Sequence, residues 1–172
     1  GMPTLNSKWS AGATVLTGDF MFSRAAKMAA DTESVPVIKL FSNTLTTIVN
    51  GEIAQLLGSR CKADREGYNK RIYAKTASLF ETSACSGALV SEVDPETTEA
   101  MRRYGYEIGM AFQIIDDILD YTGDQAKVGK PVGSDLRQGI VTLPALIHVD
   151  NHPEDPLSVA LAEGKCLDDE QI

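Results

Sequence analysis

Four polar residues recur at helical spacing within one apolar stretch of the chain. They are Gln113, Asp116, Asp117 and Asp120, which stand at positions i, i+3, i+4 and i+7. Because an α-helix advances about 100° per residue, their side chains fall within an arc of roughly 100°. The spacing therefore predicts an acidic stripe along one face of a helix.

The residues around this stripe are mostly apolar, which predicts a helix buried among other helices. Carboxylates at low dielectric repel one another and are costly to leave unpaired, so a cation must compensate them. The alternative is a surface helix whose acidic face is solvated. Oxygen ligands without a neighbouring His or Cys suit Mg²⁺, which keeps most of its waters and binds ligand phosphates. The sequence favours a Mg²⁺ site at Asp116, Asp117 and Asp120.

A glycine-rich loop, residues 123–135, follows the stripe. It does not match a P-loop, because its glycine spacing is one residue too long, Pro131 replaces the required Ser or Thr, and no strand precedes it. Lys127 and Lys130 lie in this loop, where they could supply positive charge to a diphosphate whose other oxygens bind the metal. The alternative for Lys130 is an ordinary solvated loop lysine.

The elements that must position these residues are helices. Apolar residues recur at three- and four-residue steps through residues 13–29, 37–57, 72–90, 101–121 and 143–147, without sustained period-two alternation. Asp94 followed by Pro95 indicates an N-cap with proline at the first helical position. The pattern predicts an all-α chain. Residues 148–172 are expected to form an irregular acidic tail or to begin further helices.

Composition excludes several classes of function. The net charge of −8, from 16 Lys and Arg against 24 Asp and Glu, argues against nucleic acid as a partner, because nucleic-acid surfaces present clustered positive charge. We expect no transmembrane segment, since no run of about 18 apolar residues occurs. No secretory leader pattern opens the chain. The expected compartment is therefore the cytoplasm.

The cysteines and histidines offer little chemistry. Cys61, Cys85 and Cys166 are odd in number and far apart in the chain, so we expect neither a disulfide framework nor a structural zinc site. His148 and His152 stand at i, i+4 in a stretch rich in Pro and Asp. We interpret them as surface residues of a loop-like segment.

A family resemblance rests on five motifs in order. FQIIDDILD at 112–120, followed by GKPVGSDL at 129–136, resembles the second aspartate-rich region of the trans-isoprenyl (polyprenyl) diphosphate synthases. Further stretches resemble other segments of that family: LTGDF at 16–20, GEIAQL at 51–56, YAKTASLF at 73–80 and TLP at 142–144. The resemblance covers about residues 3–147. It implies that residues 1–172 form a single partial domain, a helical bundle of the isoprenoid synthase type truncated at both ends.

The resemblance also implies a prenyltransferase of isoprenoid biosynthesis that condenses isopentenyl diphosphate with an allylic diphosphate and releases pyrophosphate. The catalytic residues would be Lys75, Thr76, Gln113 and Lys130. Phe112, Lys75 and Lys130 would bind substrate, and Asp116, Asp117 and Asp120 would hold Mg²⁺. Metal and ammonium groups would stabilise the charge that develops on the leaving pyrophosphate. Thr76 and Gln113 would offer oxygen dipoles to the carbocation, and no protein base is required.

Two departures from the family pattern shape these expectations. The family carries a first aspartate-rich region, normally shortly before a segment of the type at residues 3–6, and this sequence contains no other DDxxD. We expect the central portion of a longer synthase or a naturally short relative, whose 172 residues bind Mg²⁺ and diphosphate weakly and do not condense substrates at a normal rate. In addition, Ile140 stands where many relatives have a lysine, so one phosphate-facing cation is missing.

Two other functions remain open. The first is a non-catalytic partner subunit of a prenyl diphosphate synthase, although such a subunit has no need of the acidic stripe. The second is a class I terpene-cyclase-like enzyme, in which an Asn/Ser/Glu-type metal triad is expected instead.

Self-association is expected on two grounds. The resemblance implies a homodimer, and a bundle without its N-terminal helices would expose apolar faces such as those of residues 15–20 and 38–45. Soluble monomers seldom leave large contiguous apolar patches bare. We therefore expect a homodimer or a larger species.

Overall fold

The computed structural model describes residues 4–58, 60–123 and 132–167, and the regular elements within them are all helical. In chain order they are α1 (Leu5–Lys8), α2 (Ala11–Asp31), α3 (Val35–Leu57), α4 (Arg65–Ile72), the π-helix π1 (Tyr73–Ala77), α5 (Ser78–Val90), α6 (Pro95–Thr122), α7 (Ser134–Arg137), α8 (Leu143–Asn151) and α9 (Pro156–Ala162). The predicted all-α fold is confirmed. No helix in the described ranges is long and apolar enough to cross a membrane.

Side-chain caps fix where two of the central helices begin. Asp94 accepts a hydrogen bond from the backbone N–H of Thr97 at 2.9 Å, and Pro95 occupies the first turn of α6. Asp64 caps α4 in the same way, accepting from the N–H of Gly67 at 3.0 Å. Each cap satisfies a backbone donor that has no partner within the helix. The N-cap predicted at Asp94 is confirmed.

The helix predicted over residues 72–90 is longer and less regular than expected. α4, π1 and α5 run on without a break from Arg65 to Val90, and the π-helical turn covers Tyr73–Ala77. A π-helical turn interrupts the α-helical hydrogen-bond ladder and is frequent at functional sites. Lys75 and Thr76 lie inside this turn.

Two glycines let α6 approach π1 and α5 closely. A Cβ added at Gly109 would lie 2.5 Å from the Cα of Ala77, and one at Gly105 would lie 2.5 Å from the carbonyl oxygen of Phe80. Neither position leaves room for a side chain. Gln113 follows Gly109 by one helical turn, so this close packing carries it to the level of Thr76.

The main apolar core lies beside the contact of α6 with π1 and α5, between α4 and the C-terminal elements. Its buried members are Tyr68, Ile72, Leu136, Val141, Ala145, Leu146 and Leu161. The core therefore joins α4 to α7, α8 and α9, and it fixes the segment that follows the acidic stripe.

The prediction that α6 is buried on most sides is wrong. Among its apolar residues, Phe112 is 57% exposed, Ile115 is 56% exposed and Leu119 is 50% exposed. α6 packs through the face that carries its two glycines and Asp117, whereas the described elements leave its opposite face uncovered. The apolar pattern shows which residues of α6 are suited to burial, but it does not show which elements cover them.

The expectation that no disulfide forms is also wrong, because Cys61 is bonded to Cys166 across 105 residues of sequence. Backbone hydrogen bonds join the segment around Cys61 to α9 and to the loop after α7. The N–H of Ala63 donates to Leu161 at 2.9 Å, and the N–H of Cys61 donates to Gly139 at 2.8 Å. The pairing depends on tertiary packing and leaves no trace in the spacing of the cysteines. Cys85 is buried as a free thiol.

The loop-like interpretation of the histidine segment is wrong as well. His148 lies within α8, which extends to Asn151, four residues beyond the predicted end. The ring of His152 lies 4.8 Å from that of His148, centre to centre, and His148 Nε2 is 3.6 Å from a carboxylate oxygen of Asp155. Further along, residues 156–162 form α9.

Candidate functional site

Asp117 is the one buried carboxylate of the acidic stripe, with only 3% of its surface exposed. The hydroxyl of Tyr68 donates to its Oδ2 at 2.7 Å, and Nε2 of Gln113 donates to its Oδ1 at 2.9 Å. Both oxygens therefore have a donor, as burial of a carboxylate requires. Burial, followed by donation to Asp117, holds the pKa of Tyr68 well above its ordinary value, so the phenol keeps its proton.

A chain of hydrogen bonds extends from Asp117 to the π-helical turn. The hydroxyl of Thr76 donates to Oε1 of Gln113 at 2.8 Å, and this fixes which end of the Gln113 amide faces Asp117. The chain links α4, π1 and α6 through Tyr68, Asp117, Gln113 and Thr76. Residues from three helical elements are thereby held in one arrangement.

A cleft of about 50 Å³ opens beside this chain. Its walls carry side chains of both signs together with apolar and amide groups. The lining residues are Gln55, Arg71, Ile72, Lys75, Gln113, Asp117, Asp135, Ile140 and Thr142. The structure thus places Lys75, Gln113 and Asp117 in the lining of one cleft. Asp116 and Asp120 are not among the lining residues.

Arg71 is a second cation of the cleft. Its Nη2 donates to the backbone carbonyl of Val141 at 2.6 Å, and its guanidinium carbon lies 5.5 Å from the centre of the Tyr68 ring. Burial lowers the pKa of Arg71 below its ordinary value, and the Asp117 carboxylate acts in the opposite sense. A guanidinium stays charged in proteins, so Arg71 places a fixed positive charge near Asp117.

The other two aspartates of the stripe lie in more open surroundings. Asp116 is exposed, and its Oδ2 accepts a long hydrogen bond of 3.3 Å from Gln113 Nε2. Asp120 is half-buried, and its Oδ2 accepts from the N–H of Asp135 at 3.1 Å. Its carbonyl oxygen accepts from the N–H of Gly133 at 2.9 Å. Asp120 therefore joins the end of α6 to the first turn of α7.

Lys127 and Lys130 lie outside the described residues. Phe112 is described, and its ring lies 5.5 Å from that of Phe80, centre to centre. Phe112 immediately precedes Gln113 on α6, Phe80 lies on α5, and the Phe112 side chain is 57% exposed.

The fit to a divalent cation depends on what completes its shell. Among the described residues, no three His, Cys, Asp or Glu side chains are arranged as a ready metal cage. Mg²⁺ does not need one, because it commonly takes one or two carboxylates and fills its other positions with water and phosphate oxygens. Asp116 and Asp120 stand one turn apart on α6 beside the held carboxylate of Asp117. The donor set fits Mg²⁺ that arrives with a phosphate ligand.

Tyr68 and Arg71 are site residues that the sequence analysis did not identify. They precede Lys75 by seven and four residues, so helical periodicity alone places them on one face with it. That spacing was available in the sequence. What it could not show is that the face is turned toward α6.

Comparison with known proteins gives consistent results. A family model described as Polyprenyl synthetase matches residues 1–170. The octaprenyl diphosphate synthase of Escherichia coli K12 is 41% identical over 154 residues, which is 88% of this chain and 47% of that protein.

Two solved structures share the fold. A heptaprenyl diphosphate synthase from Staphylococcus aureus superposes with a TM-score of 0.87 at 34% identity, covering 95% of this chain and 51% of that one. A polyprenyl synthase from Caulobacter crescentus CB15, complexed with calcium and isoprenyl diphosphate, gives 0.78 at 34% identity over the same fractions. The chain spans about half the length of these relatives, and the predicted isoprenoid-synthase type of fold is confirmed.

Proposed function

Because this chain belongs to the polyprenyl synthetase family, we propose that its cleft binds the diphosphate of an allylic substrate for transfer to isopentenyl diphosphate. The whole reaction would join the two isoprenoids and release pyrophosphate. The observation that carries the proposal is the cleft itself, whose lining combines Lys75 with a buried carboxylate that has two donors. Such an arrangement fixes the negative charge of the carboxylate and places a lysine with a mobile positive charge in the same cleft.

Lys75 and the members of the hydrogen-bond chain around Asp117 each have a physical task in this reaction. Lys75 binds the diphosphate as a point charge, and this interaction strengthens as the leaving group gains negative charge. Tyr68 and Gln113 keep the Asp117 carboxylate in one orientation. Thr76 holds Gln113, and the oxygens of these two side chains face the region where positive charge develops on the allylic carbon.

The metal belongs to the same proposal. Asp116, Asp117 and Asp120 would hold Mg²⁺, which when bound neutralises charge on the leaving diphosphate. Lys130, outside the described residues, would bind the same diphosphate. A relative complexed with calcium and isoprenyl diphosphate supports a divalent cation and this class of ligand. Phe112 would contact the hydrocarbon part of the substrate with its exposed ring.

Titration calorimetry with inorganic pyrophosphate, with and without Mg²⁺, tests the proposal on these 172 residues. We expect binding that requires Mg²⁺ and that weakens about tenfold in Lys75→Met. Lys70→Met is the matched control, because Lys70 is an exposed lysine of α4 that pairs with Glu66 at 2.6 Å. Binding without dependence on Mg²⁺, or equal effects of the two substitutions, would contradict the proposal.

We also propose that the chain self-associates as a homodimer through apolar faces. On α2, Val15 is 62% exposed, Leu16 is 68% exposed and Phe20 is 65% exposed. Contiguous apolar surface of this kind marks an interface in soluble proteins. Sedimentation equilibrium at micromolar concentration should give a mass of at least twice 18.5 kDa, and a monomer without concentration dependence would contradict this part.

The proposed compartment is the cytoplasm, and the Cys61–Cys166 pair offers a test of it. Structural disulfides rarely persist in a reducing cytosol. Thiol trapping in cells should therefore find Cys61 and Cys166 reduced. A stable disulfide in cells would indicate an oxidising compartment instead.

A further inference from the structure

Two residues that come from different elements line the cleft, one of them apolar and the other cationic. Ile140 comes from the segment between α7 and α8, and it contributes an apolar side chain to the lining. Arg71 comes from α4 and contributes a guanidinium to the same lining. The resemblance set out above expects a cation at the position of Ile140. The structure shows a cation reaching the same small cleft from α4.

The guanidinium of Arg71 is held in place before any ligand arrives. It donates to the carbonyl of Val141, the residue next to Ile140, and it lies against the ring of Tyr68. A guanidinium carries five N–H groups in a planar fork, so one bond to a carbonyl leaves it able to serve a second acceptor. This geometry suits a phosphate, whose oxygens accept two parallel bonds.

The charges around Arg71 favour an anionic ligand only when a metal is present. Asp117 lies near enough to Arg71 to raise its pKa against the effect of burial, and Asp135 acts in the same direction more weakly. Without metal, these carboxylates offset part of the positive charge of Arg71. Mg²⁺ held by the acidic stripe would offset these carboxylates, and the positive charge of Arg71 would then be available to a diphosphate that also contacts Lys75.

We propose that Arg71 is a diphosphate-binding residue of this cleft and supplies, from α4, the cation that Ile140 does not. The inference rests on the proposed function, since it names a further ligand of the same diphosphate. It assigns to Arg71 a role distinct from packing. The role depends on a positive charge in the cleft, and so it predicts that a lysine at position 140 can supply that charge in place of Arg71.

The test measures the affinity of the 172-residue chain for inorganic pyrophosphate in excess Mg²⁺ by titration calorimetry. Arg71→Gln, which keeps an N–H donor for Val141 but loses the charge, should weaken binding about tenfold. Adding Ile140→Lys to Arg71→Gln should restore the affinity to within about threefold of the unaltered chain. Arg71→Lys, which keeps the charge, should also stay within about threefold.

The control is Arg103→Gln, which makes the same change of charge on α6 at a side chain that is 79% exposed. It should leave pyrophosphate affinity unchanged. Urea unfolding of each variant shows whether it is folded. If Arg71→Gln does not fold, the comparison is made between Arg71→Lys alone and Arg71→Lys combined with Ile140→Lys. In that comparison the added lysine should tighten binding.

The outcomes separate this inference from the proposed function. Unchanged affinity in Arg71→Gln, or failure of Ile140→Lys to improve binding, would overturn the role of Arg71 and leave the proposed function standing. A purely structural role predicts that second result, because a lysine at position 140 does not restore the bond from α4 to Val141. If the unaltered chain shows no Mg²⁺-dependent binding of pyrophosphate, both the proposed function and this inference fail.

Discussion

Replacing Tyr68 by Phe removes one hydroxyl group and leaves the aromatic ring in the core. The hydroxyl donates to Oδ2 of Asp117 at 2.7 Å, and Tyr68 is 1% exposed while Asp117 is 3% exposed. Water therefore cannot readily take the place of the lost donor. Asp117 keeps its other donor, Gln113 at 2.9 Å. The substitution leaves a buried carboxylate with one fewer hydrogen bond.

The magnitude follows from the charge on the acceptor. Hydrogen bonds to charged groups contribute about 1.5–3 kcal/mol, against about 0.5–1.5 kcal/mol for neutral pairs. We expect Tyr68→Phe to lower the free energy of unfolding by about 2 kcal/mol, and by only about 1 kcal/mol in the Asp117→Asn background. The coupling between the two positions should therefore be about 1 kcal/mol.

Urea unfolding at pH 7, followed by circular dichroism, measures all four members of this double-mutant cycle. Tyr104→Phe is the matched control, because Tyr104 lies on α6 and is 57% exposed. It should change stability by less than about 0.5 kcal/mol. A coupling below about 0.3 kcal/mol between Tyr68 and Asp117 would refute the reasoning, since it would show that the bond does not bear on the carboxylate.

Three further predictions concern the disulfide, the helix contact and pH. Reducing Cys61–Cys166, which closes a loop of 105 residues, should lower stability by up to about 5 kcal/mol, and equal urea midpoints with and without dithiothreitol would contradict this. Gly109→Ala should lower the free energy of unfolding by about 1–3 kcal/mol in the same assay. Gly87→Ala should raise it by about 0.5–1 kcal/mol, because a Cβ added at Gly87 meets no described atom within 4 Å. The reverse order of the two effects would count against the close contact of α6 with π1 and α5. Because the folded state raises the pKa of Tyr68, the contribution of this group to stability is complete below about pH 10 and declines above it. Tyr68→Phe should flatten that decline between about pH 9 and about pH 12. An unaltered slope of stability against pH would contradict this prediction.

Local signals in the sequence sufficed for the long helices and for part of the site. The Asp94 cap, the three- and four-residue apolar steps and the spacing of Gln113 and Asp117 all depend on residues close together in the chain. Such signals can be recognised without knowledge of the tertiary fold. They identified the acidic stripe and the helix that carries it.

The rest depended on contacts between distant segments. The donation from Tyr68 to Asp117 joins residues 49 positions apart, and the bond of Arg71 to Val141 joins residues 70 apart. The segment 65–71 is strongly polar, which hides a helix that begins at Arg65. The Cys61–Cys166 bond likewise follows from the docking of α9 beside the loop after α3. No pattern of spacing encodes these approaches.

Anomalous diffraction from crystals soaked with Mn²⁺ and inorganic pyrophosphate tests the central claim most directly, because Mn²⁺ replaces Mg²⁺ and can be located by its scattering. We predict an Mn²⁺ peak about 2.0–2.3 Å from a carboxylate oxygen of Asp116 or Asp120. We further predict that the pyrophosphate bound to the ion lies within hydrogen-bond distance of Lys75. An ion bound away from the acidic stripe, or a pyrophosphate that does not reach Lys75, would contradict the assignment of this cleft as the diphosphate site.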